Sequence, residues 1–222
     1  MELERGLIIS CQAAEGEPLH GLGLMSHFAH AAVLGGAVGI RALCEDIESI
    51  KKQVDVPIIG LVKKNYPGSS VYITPTIVEV DALIASGCDC IALDATMRPR
   101  HGGVTLEQLV SHIRNNAPAV KIMADIAIEE EAKNAERLGF DYIGTTLYGY
   151  TEQTNGLRAP NYKFIKRVTA IIKNSKVIVE GGIWETKQIK KVVKLNPYAI
   201  VIGSAITRPS EIVKRFSGYV KL

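Results

Sequence analysis

The sequence has few cysteines, few aromatic residues and a small net charge, and each of these features argues against a class of protein. Its four cysteines include one close pair, Cys88 and Cys90, whose spacing fits neither a CxxC redox pair nor a zinc knuckle. We therefore interpret all four as free thiols in a reducing cytoplasm. The 26 basic and 23 acidic residues are interleaved and only 6% of residues are aromatic, so the features of a nucleic-acid-binding surface are missing.

A long apolar run is also missing. The first ten residues, MELERGLIIS, contain no stretch that could serve as a signal peptide or a membrane span. We therefore expect a cytoplasmic protein that makes no membrane contact. None of the five histidines ends a predicted strand, which argues against a metal site built on imidazoles.

What the chain does contain is a regular alternation of eight apolar runs with eight helix patterns, in which the third strand is predicted over residues 57–63 and the last helix over residues 210–220. The 47% hydrophobic content is enough for one sizeable core, and no linker divides the chain, so we predict a single domain over residues 1–222. Alternation of this kind predicts an α/β fold with a parallel sheet, and eight units favour closure into a TIM (β/α)8 barrel. An open sheet would be expected to carry G-x-G-x-x-G after its first strand, and the chain has none there.

The predicted strands end in polar residues. In a barrel these ends meet on one face, so residues far apart in sequence form one polar cup. Burying so many charges is costly unless they pair or meet a ligand, so this face is the predicted binding site. The residues are Gln12, Arg41, Lys63, Asp94, Asp125, Thr145, Thr146, Glu180, Gly203, Ser204 and Arg208.

Lys63 is the most informative of these residues. It shares strand parity with Ile59 and Leu61, which places it on the barrel interior. Desolvation and a nearby Arg41 would lower the pKa of the lysine toward that of a base, whereas Glu180 would oppose the shift. The sequence therefore leaves two interpretations open: a catalytic base, or an ion pair of Lys63 with Glu180 or Asp125.

Two final strands run into glycine turns, in KVIVEGGI at residues 176–183 and AIVIGSAITRP at residues 199–209. In barrels the turns after strands seven and eight commonly bind a substrate phosphate on backbone N–H groups. We predict a phosphate site at Gly181, Gly182, Gly203 and Ser204, with Arg208 supplying a charged fork. The long connection at residues 64–75 is predicted to be either a functional lid or structural packing.

Motifs along nearly the whole chain resemble the bacterial N-acylglucosamine-6-phosphate 2-epimerase family. They are SCQA at 10–13, EPLH at 17–20, GGAVGIRA at 35–42, PIIGLVKKNY at 57–66, YITPT at 72–76, IALDAT at 91–96, MADI at 123–126, GFDYIGTTLYGYT at 139–151, VEGGI at 179–183 and GSAITRP at 203–209. Departures from the family pattern are Lys64 in place of the usual arginine, the stretch GLGLMSHFAH after EPLH, and Gly182 at a variable position.

The resemblance implies interconversion of N-acetylmannosamine 6-phosphate and N-acetylglucosamine 6-phosphate in amino-sugar and sialic acid breakdown. It implies a homodimer that needs no metal or organic cofactor. The catalytic pair would be Lys63 and Glu180. Substrate contacts would come from Gln12, Arg41, Asp125 and Arg208.

Two alternatives remain beside this function. One is a pentulose-phosphate 3-epimerase, another barrel enzyme with a glycine-rich phosphate turn, which depends on carboxylates and metal-binding histidines at its strand ends. The other is a phosphosugar-binding regulator that has kept the cup and lost turnover. The presence of both Lys63 and Glu180 argues against the regulator.

Overall fold

Eight parallel strands pair in chain order, and the last pairs with the first, in the computed structural model, which describes residues 1–220. The closed barrel confirms the predicted TIM-barrel fold. The strands are β1 (Gly6–Cys11), β2 (Gly39–Leu43), β3 (Ile58–Leu61), β4 (Cys90–Asp94), β5 (Lys121–Asp125), β6 (Tyr142–Gly144), β7 (Lys176–Glu180) and β8 (Ala199–Ile202).

Helices follow the strands and cover the outside of the barrel. They are α1 (Met25–Leu34), α2 (Cys44–Lys51), α3 (Ile77–Ser86), α4 (Leu106–Asn116), α5 (Glu129–Arg137), α6 (Tyr162–Ile171), α7 (Thr186–Val193), α8 (Ser204–Thr207) and α9 (Pro209–Ser217). Short 3-10 helices occur at His101–Gly103 and Glu152–Thr154. The predicted last helix at residues 210–220 corresponds to α9, and the single turn of α8 before it was not predicted.

Helix α3 illustrates how the sequence sets these boundaries. The Thr76 hydroxyl accepts from the Val78 N–H, and the Glu79 carboxylate accepts from the Thr76 N–H at 3.0 Å, which forms a capping box. The helix stops at Gly87, whose φ of +68° is the left-handed conformation that glycine adopts without strain. The start and stop are therefore encoded within the segment itself.

Apolar side chains fill two layers. The outer core lies between the strands and the helices and contains residues such as Ile40, Ile91 and Val179. The inner core fills the barrel and contains Ile59, Leu61, Ala92, Met123, Tyr142, Ile178 and Val201. Alternate residues of one strand thus serve different layers, which is the period-two pattern of a strand buried on both faces.

Several predicted strands were too long, and β3 is the clearest case. It was predicted over residues 57–63, but it ends at Leu61, and Lys63 instead forms an antiparallel bridge with Ile73. On its other side Ile73 accepts from the Asp94 N–H of β4 at 3.1 Å. A segment of the following loop therefore lies between the ends of β3 and β4. This part of residues 64–75 is structural packing, one of the two predicted alternatives.

Within residues 1–220 no helix is long and apolar enough to cross a bilayer. All four cysteines are free thiols, as predicted, and Cys11, Cys88 and Cys90 are buried. Burial raises the pKa of Cys88 to about 11, so this thiol is inert rather than nucleophilic at neutral pH.

Candidate active site

A cavity of about 400 Å³ opens at the carboxyl ends of the strands. This is the face on which TIM barrels carry their sites. It is lined by Ser10, Gln12, Arg41, Lys63, Tyr72, Ile73, Thr146, Tyr150, Glu180, Gly181, Gly182, Ile183, Trp184, Val201, Ile202, Gly203, Ser204, Thr207, Arg208 and Glu211. The structure therefore brings together nine of the ten residues assigned to the catalytic pair, the substrate contacts and the phosphate site, and Asp125 is the exception.

The floor of the cavity is a buried charge network around Arg41. Its Nη1 and Nη2 donate to the two carboxylate oxygens of Asp125 at 3.0 and 2.6 Å, and Nη1 also lies 3.1 Å from Glu180 Oε2. Burial opposes the charged guanidinium, but the two carboxylates outweigh it and raise the pKa of Arg41. Arg41 therefore stays protonated and presents fixed positive charge beneath the cavity.

Glu180 ends β7 and faces the cavity with its side chain 15% exposed. Desolvation raises the pKa of this carboxyl, and the Asp125 charge adds to the rise, against the opposing effects of Arg41 and Lys63. The Thr146 hydroxyl gives little compensation, because its single proton serves the nearer Asp125 oxygen at 2.6 Å rather than Glu180 at 3.2 Å. This carboxyl therefore takes up a proton more readily than an exposed glutamate does.

Lys63 lines the same cavity from the end of β3. In the described part of the chain its amine has neither a hydrogen-bond partner nor a carboxylate within ion-pair distance. The predicted alternative of an ion pair with Glu180 or Asp125 is therefore wrong for this structure, because Arg41 pairs with both carboxylates instead. Desolvation lowers the pKa of Lys63, and the charges of Arg208 and Arg41 lower it further.

The glycine turns after β7 and β8 form the far wall. The amides of Gly182, Gly203 and Ser204 donate to no acceptor among residues 1–220, which leaves them available to an anion. Gly182 has a φ of +66°, and a Cβ there would lie 2.0 Å from the Ala159 carbonyl oxygen. Glycine is therefore required at this position by close approach as well as by conformation.

Arg208 stands beside these turns and is held by a loop residue. Its Nη2 donates to Glu17 Oε1 at 2.8 Å, and both side chains are about 30% exposed. Glu17 belongs to the EPLH motif after β1. A phosphate that binds Arg208 would have to compete with this carboxylate.

Three predicted members of the polar cup lie outside the cavity. Asp125 is fully buried beneath Arg41, and Asp94 accepts from Thr96 and from Arg98 Nη2 at 2.7 Å in the neighbouring loop. The Thr145 hydroxyl donates to the Glu180 carbonyl at 2.9 Å, on the sheet itself. These residues were placed in the cup by strand position alone. Hydrogen bonds to Arg41, to the loop after β4 and to the Glu180 carbonyl occupy their polar groups instead.

The structure also adds residues that sequence reasoning missed. Tyr72 and Ile73 come from the loop after β3, and Trp184 follows the glycine turn of β7. Ser10 has the same strand parity as Gln12, and that signal could have identified it. Tyr72 had no comparable local signal, because the path of a loop is not encoded in a repeating pattern.

A family model described as "Putative N-acetylmannosamine-6-phosphate epimerase" matches residues 25–222. The chain belongs to this family. The match confirms the family predicted from the motifs. Glu180 with its glycine turn and Lys63 thus lie in the matched part of this epimerase-family chain.

Individual relatives agree with the family match. A protein of Staphylococcus saprophyticus described as "Putative N-acetylmannosamine-6-phosphate 2-epimerase" is 55% identical over 217 residues, 96% of this chain and 97% of its own. A protein of Caldanaerobacter subterraneus with the same description is 48% identical over 99% of this chain and 93% of its own. The solved N-acetylmannosamine-6-phosphate 2-epimerase from Clostridium perfringens superposes with a TM-score of 0.94, is 42% identical, and covers 98% of this chain and 95% of its own.

Proposed function

We propose that this protein is an epimerase that interconverts N-acetylmannosamine 6-phosphate and N-acetylglucosamine 6-phosphate by inverting C2, a step of amino-sugar and sialic acid breakdown. One observation carries the proposal. An amine whose pKa is lowered and a carboxyl whose pKa is raised line one small cavity beside two glycine turns. Groups with pKa values displaced in this way suit proton transfer near neutral pH.

The chemistry follows from the position of the reacting bond. The C2–H bond can be broken when C1 is a carbonyl, so the sugar reacts in its open-chain form. The Lys63 amine takes the C2 proton, and the electron pair of that bond moves onto the C1 oxygen as an enolate. Arg41, with its charge fixed beneath the cavity, lowers the energy of that anion. Glu180 then returns a proton to C2 from the opposite face.

The phosphate anchors the other end of the sugar. The free amides of Gly182, Gly203 and Ser204 suit a dianion, and Arg208 adds a positive charge once Glu17 is displaced. Gln12 and Gly181 also line the cavity. Binding energy at the phosphate orients C2 against the lysine, which converts remote contacts into rate.

Asp125 acts beneath this machinery in our proposal. Its carboxylate fixes the guanidinium of Arg41 through two hydrogen bonds and is shielded from the cavity. The contact with substrate predicted for Asp125 is therefore replaced by a positioning role. Arg41 is held in one orientation before the sugar arrives.

The proposal is tested by turnover in heavy water. N-acetylmannosamine 6-phosphate should give an epimer that carries deuterium at C2, as followed by proton NMR, and Lys63→Ala should abolish the exchange while keeping affinity for inorganic phosphate. Retention of the original hydrogen in the product would exclude this proton transfer. Phosphosugar binding without any turnover of the wild type would favour the regulator instead.

No observation favours a pentulose-phosphate 3-epimerase. In the described ranges no three or more His, Cys, Asp or Glu side chains are grouped so that they could hold a metal ion. That enzyme class relies on such a group. The Lys63 and Glu180 pair is the arrangement that the cavity offers.

We also propose the homodimer and the cytoplasmic location that the resemblance and composition imply. Helix α9 supports the dimer, because none of its residues is buried and Val213 and Phe216 expose 65% and 69% of their surface on one helical face. A second copy of the chain would cover them. Sedimentation velocity should show a dimer for the wild type and a monomer for Phe216→Glu.

A further inference from the structure

The chain after β3 turns back along its own strand end. Through this turn Lys63 is held on a small antiparallel pair. The Lys64 N–H donates to the Tyr72 carbonyl at 2.9 Å, and the Thr74 N–H donates to the Val62 carbonyl at 2.8 Å. We call residues 72–74 the returning arm. Its middle residue, Ile73, is buried in the inner core and bridges Lys63 on one side and Asp94 on the other.

Thr74 is the unusual residue of the returning arm. It is fully buried and has a φ of +46°, a left-handed conformation that is rare for a β-branched residue. Strain of this kind persists only where the surroundings enforce it, and it concentrates at functional sites. The other non-glycine residue with positive φ among residues 1–220, Asn196, lies in the turn between α7 and β8, away from the cavity.

The hydrogen bonds of Thr74 explain what the strain achieves. The Val62 N–H donates to Thr74 Oγ1 at 3.2 Å, while the Val62 carbonyl accepts from the Thr74 N–H. One residue therefore holds both backbone polar groups of the residue immediately before Lys63. The lysine amine sits at the end of a long flexible side chain, so a small rotation of its backbone moves the amine far.

We propose that Thr74 is a positioning residue for the Lys63 amine: its hydroxyl holds the backbone N–H of Val62, the residue before Lys63, and so aims the amine into the cavity. This inference rests on the proposed function, in which Lys63 removes the C2 proton. Without the hydroxyl, the Val62 N–H loses its acceptor and the antiparallel pair can shift. A shift by one residue would turn the lysine to the opposite face of the strand.

Three substitutions distinguish the effect of the Thr74 hydroxyl from the effects of side-chain shape and backbone strain. Thr74→Val keeps the shape and removes the oxygen, Thr74→Ser keeps the oxygen, and Thr74→Gly relieves the backbone strain without restoring an acceptor. Asn196→Val is the matched control, because it places a β-branched residue in the same left-handed conformation away from the cavity. The control should lower the unfolding midpoint and leave kcat unchanged.

In the epimerase assay Thr74→Val and Thr74→Gly should lower kcat about 100-fold, the scale expected for misplacement of a reacting group by about 1 Å. Their KM and their affinity for inorganic phosphate should change by less than about threefold, because the phosphate turns are untouched, and Thr74→Ser should restore most of kcat. Wild-type kcat in Thr74→Val, or equal losses in Thr74→Val and Thr74→Ser, would overturn the proposal.

A second readout does not need turnover. Competitive labelling with acetic anhydride at a series of pH values, read by mass spectrometry, compares Lys63 with its exposed neighbour Lys64 in each variant. In the wild type Lys63 should react at lower pH than Lys64, and in Thr74→Val its profile should approach that of Lys64. An unchanged Lys63 labelling profile in Thr74→Val would refute the positioning role, whether or not the wild type is active. An inactive wild type with a changed profile would refute the proposed function alone.

Discussion

The inside of the barrel has two layers built by the same strands, and they differ completely in chemistry. The apolar layer consists of Ile59, Leu61, Met123 and Ile178, all buried in the inner core. The charged layer consists of Lys63, Asp125 and Glu180, each two residues further along the same chain segments, together with Arg41.

Stability and chemistry are thus assigned to successive residues of the same chain segments. The apolar layer stabilises the barrel by burial, whereas the charged layer carries desolvation costs that its ion pairs offset only in part. Lys63 makes no ion pair of its own, because Arg41 takes Asp125 and Glu180. Desolvation, together with the charges of Arg208 and Arg41, therefore lowers the pKa of the lysine despite the opposing charges of Glu17 and Glu180.

The largest effects are expected from one substitution in each layer. The substitution in the charged layer should change activity, and the substitution in the apolar layer should change stability. Lys63→Met should lower kcat about 10²- to 10⁴-fold while leaving stability equal or higher, because a desolvated amine is removed. Ile59→Ala should cost about 2–5 kcal/mol of unfolding free energy and keep kcat per folded molecule. Urea unfolding and the epimerase assay measure both, and loss of stability in Lys63→Met would contradict the division.

A second prediction concerns the carboxylate beneath the charged layer. Asp125→Asn should destabilise the protein by about 3–5 kcal/mol and lower kcat, because Arg41 loses its principal partner in a buried site. Asp94→Asn is the matched control, since Asp94 pairs with Asp125 in register and binds Arg98 outside the cavity. The control should lose stability and keep kcat; an equal loss of kcat in both variants would argue against the assigned positions.

The third prediction concerns the two glycines of the phosphate turn after β7. Gly182→Ala should weaken binding of inorganic phosphate about 10- to 100-fold, the cost of one or so hydrogen bonds to a charged group, because the new Cβ clashes with the Ala159 carbonyl oxygen. Gly181→Ala also strains the backbone, since Gly181 has a φ of +111°, but its Cβ meets only a 3.4 Å contact with the Ala159 Cβ, so it should weaken binding less. Calorimetric titration measures the phosphate affinity of both variants. Weaker binding by Gly181→Ala than by Gly182→Ala would refute close approach as the reason for Gly182.

The smallest expected effect is a shift of the pH profile. Glu17 raises the pKa of Lys63, so Glu17→Gln should lower that pKa further and move the rising limb of kcat/KM, where the amine loses its proton, to lower pH. Arg208 is freed at the same time, so phosphate should bind about 2- to 5-fold more tightly. Glu15→Gln, a substitution of an exposed neighbour in the same loop, is the control. A rising limb that moves to higher pH in Glu17→Gln would contradict the expected direction of the shift.

Much of the barrel could be predicted because its signals are local. The apolar run of β7 and the capping box of α3 each lie within a few residues. Strand ends were predicted less well, since β3 stops at Leu61 only because Ile73 pairs beside it from a distant part of the loop. Partner choice was not local either, and Arg41 rather than Lys63 pairs with Asp125 and Glu180, which rules out the ion-pair interpretation of Lys63.

The barrel, the face on which the site lies and the family could all be inferred from the sequence, because periodicity, glycine turns and motif order are local properties of the chain. Which carboxylates Arg41 binds and how the returning arm holds Lys63 emerged only from the folded chain. These outcomes depend on distances between residues of different strands and loops. Competition among buried charges for a limited number of partners then selects the pairs.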